Sequence, residues 1–151
     1  GKLYAVGGFG GGFLSSVERY DPATNAWEAE APMAAARCHL GVAVLDGKLY
    51  AVGGYSDGDL SSMERYDPAL DAWEAVAPIA EARVAHTVAV LDGKLYAVGG
   101  FGGGFLSSVE RYDPATNAWE AEAPMAAARC HLGVAVLDGK LYAVGGGNSG
   151  G

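Results

Sequence analysis

The amino-acid sequence predicts an all-β repeat protein, and two observations carry this prediction. The segment GKLYAVGG starts at Gly1, Gly47, Gly93 and Gly139, so the chain of 151 residues has a period of 46 residues. A fixed period of this size indicates a solenoid, a propeller or an array. Each period also holds four short apolar or alternating runs separated by Gly, Pro and Asp-Gly, which is typical of strands and turns.

The four runs of the first repeat can be justified in order. The first is apolar and closes on a Gly pair, and the second alternates. The third opens with an aromatic residue and ends at a proline, and the fourth is rich in valine and closes on Asp-Gly. They cover residues 3–8, 15–22, 26–33 and 39–47. Four evenly spaced strands in a repeat of this length favour a propeller blade over a sandwich.

The turns between these runs have their own signals. Asp46-Gly47 predicts a tight hairpin. Asp21-Pro22, followed by Asn25, predicts a turn because proline presets φ and asparagine tolerates a left-handed backbone. The alanines at 34–36 favour a helix by residue type. However, the six residues between a proline and a strand leave no room for one.

The repeats divide the chain into 1–46, 47–92, 93–138, a partial repeat 139–146 and a tail 147–151 that we expect to be flexible. Repeats one and three are identical, whereas repeat two differs from them at 14 of 46 positions. Drift does not normally change only the middle copy of three. The pattern therefore predicts a synthetic sequence, with recent duplication as the alternative.

The repeat resembles the Kelch motif, in which a Gly pair follows an apolar strand and is followed in turn by a Tyr and a Trp with six residues between them. The matching residues are Gly7-Gly8, Tyr20 and Trp27; Gly53-Gly54, Tyr66 and Trp73; and Gly99-Gly100, Tyr112 and Trp119. The resemblance implies a β-propeller of four-stranded antiparallel blades, each beginning at its innermost strand, here 37–47. It places two whole blades at Arg37 to about Pro78 and Arg83 to about Pro124. Strands two to four of a blade precede them and strands one and two of another follow, which makes 13 strands.

Three blades do not close a ring, because propellers typically contain four to eight. An open arc would expose apolar blade faces and unpaired strand edges. We therefore expect a homodimer that forms a six-bladed ring, with three blades from each chain. One copy of KLYAVGG, either 1–8 or 139–146, would then be surplus at each junction. The alternative is that these residues belong to a longer six-bladed chain.

The substitutions in repeat two cluster in two loop segments. Phe9 to Phe13 becomes Tyr55 to Asp59, and Cys38-His39-Leu40-Gly41 becomes Val84-Ala85-His86-Thr87. In Kelch-type ubiquitin-ligase adaptors, these loops form the face that binds partner peptides, largely through Arg, Ser and Tyr. His39, His131 and Ala85 stand here instead of an arginine-rich set. The resemblance thus leaves a peptide ligand as an alternative only.

No catalytic, cofactor or metal site is predicted. Metal binding by His39, His86, His131, Cys38 or Cys130 stays open as an adventitious property. Neighbouring residues of a strand point to opposite faces, so we do not expect Cys38 and His39 to share a metal ion easily. The cysteines lie two blades apart and are predicted to be free thiols.

Charge and hydropathy exclude further partner classes. The net charge is −8, which opposes binding to nucleic acid and to anionic membranes. No run of about 18 apolar residues is present, so no membrane-spanning helix is predicted. Glu18 beside Arg19, and the same pair in the other repeats, is interpreted as a structural ion pair.

Together these observations predict a synthetic structural scaffold that is not an enzyme and that assembles with itself. The alternative is a peptide-binding Kelch module, and a metalloenzyme is the third hypothesis.

Overall fold

The computed structural model describes residues 1–148, and within that range the chain forms strands and turns without a helix. It consequently contains no helix that could cross a membrane in this range. The strands are β1 (Leu3–Val6), β2 (Val17–Asp21), β3 (Ala26–Glu30), β4 (Gly41–Leu45), β5 (Lys48–Val52), β6 (Met63–Asp67), β7 (Ala72–Val76), β8 (Thr87–Leu91), β9 (Lys94–Val98), β10 (Val109–Asp113), β11 (Ala118–Glu122), β12 (Gly133–Leu137) and β13 (Lys140–Val144).

The strands form four antiparallel sheets, each in sequence order. We call them the N-terminal blade (β1–β3), the first complete blade (β4–β7), the second complete blade (β8–β11) and the C-terminal hairpin (β12–β13). The first strands of successive sheets are neighbours, because β4 contacts β8 and β8 contacts β12. The predicted all-β fold, the four-stranded blades and the division of the strands among them are confirmed.

The tight turns follow from residues that accept a positive φ. Asp46 and Gly47 have φ values of 50° and 73°, which close the hairpin between β4 and β5. Asn25 has a φ of 52° in the turn between β2 and β3, as its residue type indicates. Turns of these two kinds join the first strand of a complete blade to the second and the third to the fourth, so those pairings are local in sequence.

The core lies between the blades rather than inside any one of them. The segment LYAV occurs four times, and its side chains are mostly buried in the complete blades but more exposed in the outer sheets. Leu49 and Leu95 are 5% and 0% exposed in the complete blades, whereas Leu3 is 63% exposed in β1. Val52 is fully buried and Val144, in β13, is 62% exposed. Both outer sheets therefore present apolar side chains whose counterparts in the complete blades are buried.

The first residues of the predicted tail are placed against the C-terminal hairpin. Gly147 exchanges two backbone hydrogen bonds with Cys130, of 2.9 and 3.0 Å. The Asn148 side-chain amide donates to the Ala128 carbonyl at 3.1 Å. The rest of that tail, 149–151, lies outside the described residues.

Candidate functional site

A buried arginine closes each complete blade. Arg37 precedes β4, and its side chain has no exposed surface. Its Nη1 donates to the carbonyls of Gly53 at 2.8 Å and Ser62 at 3.0 Å, and its Nη2 donates to Glu64 Oε2 at 2.7 Å. Because these acceptors lie at the end of β5 and the start of β6, the arginine ties the innermost strand to the rest of the sheet.

The carboxylate of this pair also joins one blade to the next. Glu64 Oε1 accepts a 2.7 Å hydrogen bond from the backbone N–H of Ala34, which lies on the segment that arrives from the N-terminal blade. The second complete blade repeats the arrangement: Arg83 donates to Glu110 at 2.7 Å, and Glu110 accepts from Ala80 at 2.7 Å. We call this set of contacts the arginine latch. Both oxygens of this carboxylate accept hydrogen bonds. Removing one partner of such a buried pair is strongly destabilising, because the other charge stays buried and unpaired.

The two outer sheets each hold half of a further latch. Arg129 precedes β12 and keeps one bond of the set, from Nη1 to the Gly145 carbonyl at 2.8 Å. Glu18 occupies in β2 the position that Glu64 has in β6, but it is exposed. Within residues 1–148, no basic side chain pairs with Glu18 and no carboxylate pairs with Arg129.

A tryptophan completes each closed contact between blades. Trp73 Nε1 donates to the Ala31 carbonyl at 2.9 Å, across the contact between the N-terminal and first complete blades. Trp119 Nε1 makes the same bond to Ala77 across the next contact, also at 2.9 Å. Asp71 Oδ1 accepts from the Ala31 N–H at 2.9 Å, and this hydrogen bond lowers the pKa of the Asp71 carboxyl. The indole thus supplies both apolar area and a directed bond.

A groove of about 290 Å³ lies at the open edge between the second complete blade and the C-terminal hairpin. Its apolar lining includes Tyr96, Val98, Val109, Met125, Leu141 and Ala143. The residues at the same repeat positions of the first closed contact are Tyr4, Val6, Val17, Met33, Leu49 and Ala51. There, Trp73 packs against the buried cluster of Val17, Met33 and Ala51. The groove is therefore the position that a tryptophan fills at each closed contact between blades.

Trp27 is the tryptophan that lacks such a position. It is 51% exposed in β3, whereas Trp73 and Trp119 are half-buried. Its indole N–H has no hydrogen-bond acceptor in the described part of the chain. Ala123, which corresponds to Ala31 and Ala77, lines the groove at the opposite end of the chain. One open face thus exposes a tryptophan and the other a tryptophan-sized groove.

Backbone hydrogen bonds link the residues just before the innermost strands. Ala85 N–H donates to the His39 carbonyl at 2.9 Å, and His131 N–H donates to the Ala85 carbonyl at 2.8 Å. The row leaves a donor, His39 N–H, at one end and an acceptor, the His131 carbonyl, at the other. The two open faces thus also carry a backbone donor and a backbone acceptor that match each other, as Glu18 matches Arg129 and Trp27 matches the groove.

The cysteines and histidines singled out in the sequence separate into two groups. Cys38 and Cys130 are free and buried, as predicted. Contrary to the expectation from strand geometry, Cys38 Sγ lies 3.2 Å from His39 Nδ1, and Cys130 Sγ lies 3.3 Å from His131 Nδ1. The reason is that His39 and His131 have φ values of 50° and 51°, so the alternation of an extended strand does not apply. Their rings are exposed and 5.9 Å apart, edge to face.

His86 belongs to the core instead. It is 6% exposed, and neither ring nitrogen has a hydrogen-bond partner. Burial is the main cause that lowers its pKa to about 3, and the positive charge of Arg83 acts in the same direction. The imidazole is consequently neutral at physiological pH. Its Nε2 and the Val88 side chain fill the space that a Cβ on Gly41 would need.

The loop face carries aromatic pairs. Phe9 and Phe13 have ring centroids 5.5 Å apart, and Phe13 lies 5.5 Å from Tyr55 of the next blade. Phe101 and Phe105 repeat the pair at 5.4 Å. Phe9 is 67% exposed, so the cluster is only partly covered.

The expected pairing of neighbouring Glu and Arg residues along one strand is wrong. Arg19 instead contacts Glu28 and Glu30 on β3, at 2.7 Å each. Successive residues of a strand face opposite sides, so Glu18 and Arg19 cannot meet. The buried ion pair of Arg37 and Glu64 was not predicted from the sequence. Its signal in the sequence is a spacing of 27 residues that recurs as Arg83–Glu110.

Among residues 1–148, no three Cys, His, Asp or Glu side chains are placed to share a metal ion. Sheets that radiate from adjacent innermost strands, with buried contacts between their faces, define a β-propeller built from repeated blades. The Kelch motif family model matches residues 1–34, 36–79, 82–126 and 128–151. The chain therefore belongs to the Kelch repeat family. The matched segments break near Ala35, Ala80 and Ala127, on the segments that connect one blade to the next.

Proposed function

We propose that this chain is a synthetic structural scaffold whose activity is assembly: two copies close head to tail into a six-bladed ring. The observation that carries the proposal is the complementarity of the two open faces. Each contact that joins complete blades recurs at the open ends as two separated halves. Two heterologous junctions related by a twofold axis form a closed assembly.

The latch supports this arrangement by charge. In the ring, Arg129 of one copy meets Glu18 of the other, in the geometry of Arg37 with Glu64. Both charges are then paired and buried, as they are in the complete blades. The Ala126 and Ala127 amides, which correspond to Ala34 and Ala35, become donors to the same Glu18.

The groove supports it by shape. Trp27 of one copy fills the groove of the other and donates to the Ala123 carbonyl. Indole burial of this kind contributes most of the energy of many interfaces, because it removes a large apolar area from water. The row of backbone bonds closes in the same step, from His39 N–H of one copy to the His131 carbonyl of the other.

The strand count supports a ring of six. Residues 1–148 of two chains supply 26 strands, and six four-stranded blades need 24, so one strand per chain is surplus. The surplus strand is β1 or β13, because both have the sequence of the second strand of a blade. At each junction one of the two is displaced while the other pairs with β2 and β12.

The synthetic origin and the lack of enzymatic activity are part of the same proposal. The support for a synthetic origin is the identity of repeats one and three across 46 positions. A regular scaffold without insertions also provides none of the irregular loops on which catalytic groups are usually placed.

The proposal is tested with Trp27→Ala. Sedimentation velocity should detect at least a hundredfold weaker dimer, because truncating a central tryptophan anchor costs about 3 kcal/mol or more. Leu70→Thr is the matched control: Leu70 is 74% exposed but lies on an outer turn, and the other two repeats hold Thr24 and Thr116 at that position. Unchanged association of Trp27→Ala would contradict the proposed junction.

A second candidate is a peptide-binding module of the substrate-adaptor type. The exposed aromatic cluster of Phe9, Phe13 and Tyr55 favours it. The arginines do not, since Arg37 and Arg83 are fully buried in the latch and unavailable to an acidic peptide. A peptide library panned against the assembled protein distinguishes the two: the scaffold proposal predicts no enriched sequence, and a consensus lost in Phe13→Ala would favour the module.

A further inference from the structure

Each Cys–His pair holds its sulfur and nitrogen at the spacing of two ligands on one metal ion. A tetrahedral Zn²⁺ with thiolate and imidazole ligands has bond lengths near 2.3 and 2.0 Å, which places the sulfur and nitrogen about 3.5 Å apart. The Sγ–Nδ1 distances of 3.2 Å at Cys38–His39 and 3.3 Å at Cys130–His131 lie within a few tenths of an ångström of that value. The left-handed backbone at each histidine is what brings sulfur and nitrogen together.

Two ligands do not complete a tetrahedral zinc site, and within one chain the two Cys–His pairs are separated by repeat two. Repeat two places Val84 and Ala85 where the other repeats place Cys and His. The two pairs are therefore two blades apart along the chain, and no three potential ligands converge within residues 1–148. Even so, the His39 and His131 rings are only 5.9 Å apart across the intervening Ala85.

The closed ring removes that separation. Residues at this position in successive blades are joined by direct backbone hydrogen bonds of 2.8 and 2.9 Å. At a junction, His131 of one chain is followed directly by His39 of the other, with no alanine between them. Two Cys–His pairs thus become immediate neighbours at each of the two junctions.

We propose that each junction of the dimer assembles a site for Zn²⁺ or a similar divalent transition metal. Its ligands are Cys130 and His131 of one chain and Cys38 and His39 of the other. Two sulfur and two nitrogen donors in tetrahedral geometry are a preferred ligand set for zinc, and two thiolates neutralise its charge. Binding releases the thiol protons to solvent. This inference rests on the proposed dimer, and it gives the alternation of the two repeat types a role: it confines the ligands to the junctions.

The test uses Co²⁺ as a spectroscopic probe on the full chain, kept reduced. We expect one ion per chain, with sulfur-to-cobalt charge-transfer absorption and the visible bands of a tetrahedral site, and displacement by Zn²⁺. The variants Cys38→Val/His39→Ala and Cys130→Val/His131→Ala import the residues of repeat two, which folds in the same way. Each should lose all cobalt binding, because each removes half of both sites.

Mixing the two variants during refolding locates the site. A mixed dimer contains one junction with both intact pairs and one with none, so cobalt binding should return at one ion per mixed dimer. Retention of half the cobalt by each single variant, with no gain on mixing, would mean that each pair binds alone and would overturn the junction site.

Light scattering in EDTA separates this inference from the proposed function. If the chain is a dimer in EDTA, and shows no sulfur-to-cobalt absorption when Co²⁺ is added after EDTA is removed, the metal site is overturned and the ring stands. A chain that stays monomeric with and without cobalt overturns the ring, and the junction site with it.

Discussion

Replacing His86 with leucine tests the packing between the two complete blades. Both ring nitrogens of His86 are buried without a hydrogen-bond partner, and its pKa is lowered to about 3. The same repeat position holds Leu40 and Leu132, and Leu132 is buried to a similar degree, with 6% exposed. Leucine therefore suits this position. His86→Leu should be more stable at pH 7 by about 1–3 kcal/mol, the usual cost of unsatisfied buried polar groups.

The pH dependence gives a sharper magnitude. The unfolded imidazole binds a proton below its ordinary pKa of 6.5, whereas the folded one does so only near pH 3. Unfolding therefore takes up a proton in that window, and stability is lost as the pH falls. The slope approaches about 1.4 kcal/mol per pH unit, which amounts to about 2 kcal/mol between pH 7 and pH 5. The variant lacks this contribution, so its advantage over the parent should grow by that amount.

Urea denaturation at pH 7 and pH 5, at one fixed protein concentration, measures both quantities. Carboxyls with lowered pKa values, such as Asp67 and Asp113, affect parent and variant alike and cancel in the difference. If parent and variant lose stability in parallel between pH 7 and pH 5, His86 is not a buried neutral group and the reasoning fails.

Three further predictions concern the contacts within and between blades. Glu64→Gln should destabilise the protein by about 3–5 kcal/mol, because it leaves the buried Arg37 charge unpaired. Glu18→Gln should lower the free energy of unfolding nearly as much in the dimer, and by under about 0.5 kcal/mol in dilute monomer. A small effect that is the same at all protein concentrations would contradict the divided latch. Gly41→Ala should cost about 1–3 kcal/mol by overpacking, since its Cβ would lie 2.3 Å from the Val88 side chain; thermal unfolding unchanged from the parent would contradict the tight contact.

The strands could be predicted because their determinants are local. Period-two alternation, Asp-Gly at 46–47 and Asp-Pro at 21–22 each specify a strand or a turn without reference to the rest of the chain. Repetition then multiplies the signal, so the number of strands follows from one repeat, whereas their division among blades follows from the resemblance to the Kelch motif.

The contacts that hold blades together could not be predicted in the same way. Arg37 finds Glu64 across 27 residues, and no property of either residue alone indicates the pairing. The approach of Cys38 to His39 depends on a positive φ at a histidine, which side-chain type does not specify. What distinguishes Trp27 from Trp73 is the absence of a neighbouring blade, a property of position in the fold and not of the repeat.

The mass of the unmodified chain in solution tests the central claim most directly. Size-exclusion chromatography with light scattering, in EDTA and reductant, should give about 31 kDa, twice the chain mass of 15.4 kDa. Dissociation on dilution should appear as a shift toward the mass of one chain. A single species of 15.4 kDa at every concentration, with the open faces of Trp27 and Arg129 still exposed, would contradict the six-bladed ring.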